Sequence, residues 1–179
     1  TLITSSAASD VYKRQPRKFT PNFERNMSDN MIKDLANNNG IIMLNFGSGF
    51  ISEQSNKSLG DINSKVEKYK IQNNLEDSDK KLLKYKDDLI NSVKPCASIN
   101  DFIDTIDYVK ELVGIDHIGL GSDFEGLGNT LPYDLKDAST YPNILYNLLE
   151  REYSEIEIKK ICSDNLFRVW NANLQNRQI

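Results

Sequence analysis

The chain is poor in the residues that most often build metal and nucleophile sites. Its 179 residues include one histidine and two cysteines, Cys96 and Cys162, far apart in sequence. Two isolated thiols make neither a disulfide framework nor the paired spacing of a structural zinc site. No apolar run approaches the roughly 20 residues of a membrane-spanning helix. No basic excess marks a nucleic-acid partner, because 22 Lys and Arg stand against 26 Asp and Glu, a net charge of −4. Nucleotide-loop fingerprints are missing as well. Gly119-x-Gly121 lacks the third glycine of a dinucleotide loop and the lysine of a phosphate loop. Gly47-Ser48-Gly49 is not a nucleophile elbow, and no second histidine exists to act as a base. Asn26-Met27-Ser28 and Asn56-Lys57-Ser58 fit the glycosylation pattern, which is common by chance in an Asn-rich chain.

What is there suffices for one domain with a core. The hydrophobic content of 39% is slightly polar for a compact globule, which points to a solvated insertion or a piece of a larger protein. Thr1–Gln15 has no helical or strand periodicity and no signal-peptide layout, so it reads as a non-native adapter scar or a disordered tail. The native sequence is then expected to start near Pro16.

Beyond it, Ser28 to Asn38 carries a helical stripe through Met31, Ile32 and Leu35. Ile41 to Phe46 is too short for a helix and reads as a buried parallel strand. Residues 53 to 95 are charged, with sparse apolar positions, and read as a helical insertion: two solvated helices or a partly mobile segment, with a functional lid as the other reading. Ser98 with Asp101 predicts the start of a helix that Gly114 ends, followed by a buried strand from Ile115 to Leu120. Pro142 opens another helix, with Ile144, Leu145, Leu148 and Leu149 inward. Ser154 with Glu157 caps a last one, whose stripe is Ile158, Ile161, Leu166, Phe167, Val169 and Trp170. Alternating helices and buried strands predict an α/β fold. Two parallel strands alone would leave both edges open. The expected architecture is therefore the last quarter of an α/β barrel.

The string Asp116-His117-Ile118-Gly119-Leu120-Gly121-Ser122-Asp123-Phe124-Glu125-Gly126 carries the chemistry. A strand that ends in a displayed acid is how barrels place catalytic groups at their C-terminal face. Asp123 is the leading candidate, able to bind a metal, take a proton or hold a substrate amine. Glu125 shares the loop, either as a second acid or as a solvated one. His117 lies six residues earlier, roughly 20 Å away in an extended chain, and reads as structural. Arg25, ahead of the first helix, is either a fork for a substrate carboxylate or a surface partner of Glu24 or Asp29.

These segments together resemble the membrane dipeptidase family, metallopeptidase M19. The likeness runs through FTPNFERNMSDNMIKDLA, GIIMLNFGSGFIS, VKELVGIDHIGLGSDFEGLG and LPYDLKDASTYPNILYNLLEREYSEIEIKKICSDNLFRVW. The resemblance implies a (β/α)8 TIM-type barrel, a metal-dependent hydrolase with two zinc ions whose bridging hydroxide attacks the peptide bond of a dipeptide. It implies that Asp123 faces the metals and handles the proton and the substrate amine, and that Arg25 clamps the free carboxylate. It also implies that the metal ligands lie upstream of the matching region, so that this chain, with about two of the barrel's strands, is an inactive fragment without them. Glu125 stands where the family more often has Asp, and Glu152 where it has Gly. Family members are often homodimers. Two other readings stand beside this one: another barrel amidohydrolase, and a non-catalytic binding module. The compartment is left open between cytoplasmic and periplasmic or secreted.

Overall fold

The computed structural model describes residues 15–176. The tail expected over Thr1–Gln15 lies outside the described residues except for Gln15. That residue is buried, and its carbonyl accepts the Met27 N–H at 2.8 Å.

In chain order the elements are α1 (Asp29–Asn37), β1 (Ile42–Leu44), the single turn α2 (Ser48–Ile51), α3 (Glu53–Asn73), α4 (Lys80–Val93) and α5 (Ile99–Val113). Then come β2 (Ile118–Leu120), the single turn α6 (Phe124–Leu127), α7 (Tyr141–Glu150), α8 (Glu155–Lys159), a π-helical segment Lys160–Asp164 and α9 (Asn165–Asn176). Among the described residues the sheet has two strands, paired in parallel. Ile42 lies opposite Ile118, Met43 opposite Gly119 and Leu44 opposite Leu120. No described helix is long and apolar enough to cross a membrane.

The helices begin where side chains can satisfy their free N–H groups. Ser28 Oγ accepts from Met31 N–H, and Ser98–Asp101 and Ser154–Glu157 both form reciprocal capping boxes. Each cap stabilises its helix by about 1 kcal/mol. α5 turns Phe102, Ile103, Ile106 and Val109 into the core beside Ile42, Leu44, Phe46 and Ile118, all fully buried. Burying each such side chain contributes about 1.5–3 kcal/mol before ordering costs. The charged segment folds as the hairpin α3–α4, closed by the stacked rings of Tyr69 and Tyr85 at 4.0 Å. Its buried Ile62, Leu82 and Ile90 stand apart from the main apolar cluster.

Three expectations need correction. β1 covers only the centre of the Ile41–Phe46 run. Ile115–His117, expected as strand, is a 3-10 turn, and side chains from α9 bond its carbonyls, Arg168 that of Asp116 at 2.7 Å. Asn165 Nδ2 donates to the carbonyls of Ile115 and Ile118 at 2.8 and 2.9 Å. His117 Nδ1 bonds Gly40 O at 2.8 Å. Finally, Leu149 on α7 and Leu166, Phe167 and Trp170 on α9 are exposed, while Ile144, Leu148 and Ile161 are buried. On α9 it is Asn165 that points into the core, so the outward stripe begins one position later.

Candidate active site

Backbone pairing continues past the C-terminal ends of both strands. Gly121 N–H donates to Leu44 O at 2.7 Å and Phe46 N–H to Ser122 O at 3.1 Å. This approach is possible because residue 121 has no side chain: a Cβ there would lie 2.7 Å from Met43 O. The extended pairing brings together polar residues just beyond the two strands, and Asn45 Nδ2 donates to Asp123 Oδ2 at 2.9 Å.

Asp123 adopts φ 67°, ψ 34°, the left-handed region, and directly precedes α6. A non-glycine residue there is uncommon, though Asp and Asn tolerate it better than most, and costs about 1 kcal/mol that the surrounding structure must supply. Its carboxylate does not cap α6. That use, the ordinary one for a loop acid at a helix start, is not the one made of it. Gly126 gives the carboxylate room, since a Cβ at that position would come within 2.9 Å of Asp123 Oδ1.

The residues just after the two polar ones lock the arrangement from below. Phe46 meets Phe124 edge to face at 5.5 Å, and Phe102 and Tyr141 at 4.5 and 5.9 Å. Such pairs contribute about 0.5–1.5 kcal/mol beyond their burial. Asn45 and Asp123 thus stand on a shared aromatic base.

Arg25 sits in an exposed turn. The flanking residues fix that turn to α2, the helix leaving the end of β1. Thr20 Oγ1 and Asn26 Nδ2 donate to Phe50 O at 2.7 and 3.1 Å, and Phe23 stacks on Phe50 at 5.1 Å. The structure therefore sets Asp123 and the Arg25 turn at the same end of the sheet. His117 belongs to the opposite end, and Glu125 is exposed.

The sequence reading missed Asn45. Its signal was present, an amide interrupting the apolar run Ile41–Phe46, but strand periodicity gives such a position no role. It also missed how the insertion meets the loop beyond Asp123. Asp87 on α4 accepts from Asn129 Nδ2 at 2.8 Å, Cys96 Sγ donates to Asn129 O at 3.3 Å, and a cleft of about 290 Å³ opens beside Tyr133. Burial pushes the Tyr133 hydroxyl pKa up. Among the described residues no three His, Cys, Asp or Glu side chains group to hold a metal ion. The residues present do not fit a metal centre by themselves.

Similar architecture occurs in solved structures. A metallo peptidase from Rhodobacter sphaeroides, liganded with a phosphinate mimic of the dipeptide L-Ala-D-Ala, superposes with a TM-score of 0.61 at 20% identity, over 88% of this chain and 34% of that one. The probable dipeptidase PvdM from Pseudomonas aeruginosa gives 0.63 at 23% identity, over 88% and 43%. An amidohydrolase from Pseudomonas aeruginosa gives 0.57 at 17% identity, over 88% and 43%. The chain thus spans well under half the length of these proteins, and at such identities they speak for the fold alone. The sequence itself goes further, because the profile of the membrane dipeptidases, peptidase family M19, matches residues 3–178. With a strand-end acid held as described and a match over nearly the whole chain, the protein belongs to the membrane dipeptidase family.

Proposed function

We propose that residues 16–179 are the C-terminal portion of a (β/α)8-type dipeptidase barrel, with residues 53–95 as a helical insertion and Asp123 and Arg25 as its substrate-handling residues. The observation that carries this reading is the placement of Asp123: a carboxylate at the C-terminal end of paired parallel strands, in a left-handed conformation, bonded to a side chain and not capping its helix. A dipeptide is a zwitterion with its charges a few bonds apart. Asp123 pairs with the ammonium end and exchanges a proton at its carboxylate. Arg25 grips the free carboxylate with its planar fork. A clamp on the free carboxylate would explain a preference for substrates with no residue beyond the second.

The enzyme of this reading is a metallopeptidase with zinc as its metal, two ions in all. The described residues do not supply a ligand set for them. A homodimer belongs to the same proposal.

The test is hydrolysis of an alanyl dipeptide by the intact enzyme. Asp123→Asn should lower kcat by at least about 10²-fold, and an unchanged rate removes Asp123 from the reaction. Arg25→Ala should raise KM for the dipeptide far more than for its C-terminal amide. Equal losses on the two substrates would sink the clamp.

A further inference from the structure

We propose that Asn45 is a positioning residue that fixes which way the Asp123 carboxylate faces. The inference rests on the reading of Asp123 given above and adds a residue to it.

Asn45 is only 2% exposed and sits at the end of β1 in an otherwise apolar run. A buried amide there costs about 1–3 kcal/mol unless its groups are satisfied, whereas a valine would cost nothing. Both of its polar ends are satisfied, and in a way that leaves one orientation. The Gly47 N–H can only donate, and it does so to Asn45 Oδ1 at 2.6 Å. The side-chain NH₂ is thereby turned toward Asp123, and a carboxylate can only accept. Neither contact belongs to the strand ladder. The amide acts as a rigid link from a backbone N–H of one strand-end loop to the carboxylate of the other. On the far side, a Cβ at Gly126 would lie 2.9 Å from Oδ1 and push the carboxylate aside. The two carboxylate oxygens are thus made inequivalent, Oδ2 tied to Asn45 and Oδ1 set over the α6 turn. A carboxylate that must meet an ammonium and move a proton benefits from such fixing, because its rotamer need not be found anew in each turnover.

A double-mutant cycle on the intact enzyme tests this with an alanyl dipeptide. Asn45→Ala should lower kcat about 10- to 100-fold while KM stays within about threefold. In an Asp123→Asn background the same change should cost no more than about a further twofold, since its target is gone. Losses that multiply, or an unaffected kcat in Asn45→Ala, overturn the positioning role while leaving Asp123 in place. An unaffected Asp123→Asn enzyme instead removes the underlying reading, and this role with it. If Asn45→Ala does not fold, the exchanged pair Asn45→Asp with Asp123→Asn keeps the shape and restores an amide–carboxylate bond in reverse. Its thermal midpoint should recover from that of Asn45→Asp alone, with activity still at the Asp123→Asn level. Recovery of activity to that of the unmodified enzyme overturns the proposal.

Discussion

The two ends of the two-stranded sheet use the same kinds of polar residue for opposite purposes. At the N-terminal end, side chains are spent on backbone carbonyls. Asn165 bonds Ile115 and Ile118, His117 bonds Gly40, and Arg168 on α9 donates to Asn39 and Asp116 carbonyls at 2.7 Å each. At the C-terminal end the corresponding amide, Asn45, accepts one backbone N–H, that of Gly47, and spends its own N–H on another side chain, Asp123. Backbone carbonyls left by short strands must be satisfied somewhere, so the first arrangement holds the fold together. The Asn45–Asp123 bond itself satisfies no backbone group, so that part of the second arrangement adds chemistry at a cost in stability. The difference separates residues that keep the chain folded from those that act, although both sets lie within a few residues of the same strands.

The comparison breaks most visibly if Asn165 is removed. Asn165→Ala leaves two carbonyls without a donor beneath β2 and should lower unfolding free energy by about 2–4 kcal/mol. Denaturant unfolding measures it, and a loss under 1 kcal/mol would mean that water or a shifted side chain takes over. Second in size is Gly121→Ala at the opposite end. Its Cβ would press on the Met43 carbonyl, part of the β1 backbone, and widening the strand pair should cost about 1–3 kcal/mol. Because that widening also separates Asn45 from Asp123, the activity of the intact enzyme should fall with it. A destabilised variant of undiminished kcat would argue that the pairing matters to the fold alone.

Much of this was legible in advance, and what was not has identifiable causes. The capping boxes at Ser98 and Ser154 and the stop at Gly114 appeared where expected, because they depend on neighbours three residues apart. The acid at the strand end was legible for the same reason, as a local string. The 3-10 turn at Ile115–His117 was hidden, since it depends on Asn165, some 47 to 50 positions later in the chain. The role of Asn45 was hidden too, its partner lying 78 residues away. Leu166, Phe167 and Trp170 follow helical spacing, and spacing alone does not say whether Asn165 or Leu166 faces inward. The π-helical segment just before Asn165 adds to that phase shift.

A smaller effect concerns the layer that leads into Asn165. Glu157 closes the capping box of α8 and pairs with Lys110 on α5 at 2.7 Å. The Lys110 ammonium, with help from Ser154, lowers its carboxyl pKa from 4.5 to about 2. The unfolded chain therefore takes up this proton more readily than the folded one. The stabilisation from Glu157 is complete above about pH 4.5 and is lost as pH falls toward 2. Glu157→Gln should flatten the acid limb of a stability-versus-pH curve in that window and leave the neutral limb nearly parallel. An unchanged acid limb would show that Glu157 is as easily protonated folded as unfolded.

The smallest expected change in stability is at Asp123 itself, and it sharpens the comparison most. Asp123→Asn keeps the atom positions, keeps an oxygen that can accept from Asn45, and suits the left-handed backbone at least as well as Asp does. What it removes is the charge of an intermediate-exposure carboxylate. The unfolding free energy should stay within about 0.5 kcal/mol of the unmodified chain, even though the same substitution is expected to abolish most of the activity of the intact enzyme. A residue kept for the fold would show the reverse pattern, which is the one expected of Asn165. Were Asp123→Asn to cost as much stability as Asn165→Ala, the C-terminal end of the sheet would be held together in the same way as the N-terminal end, and Asp123 would lose its claim to be there for chemistry.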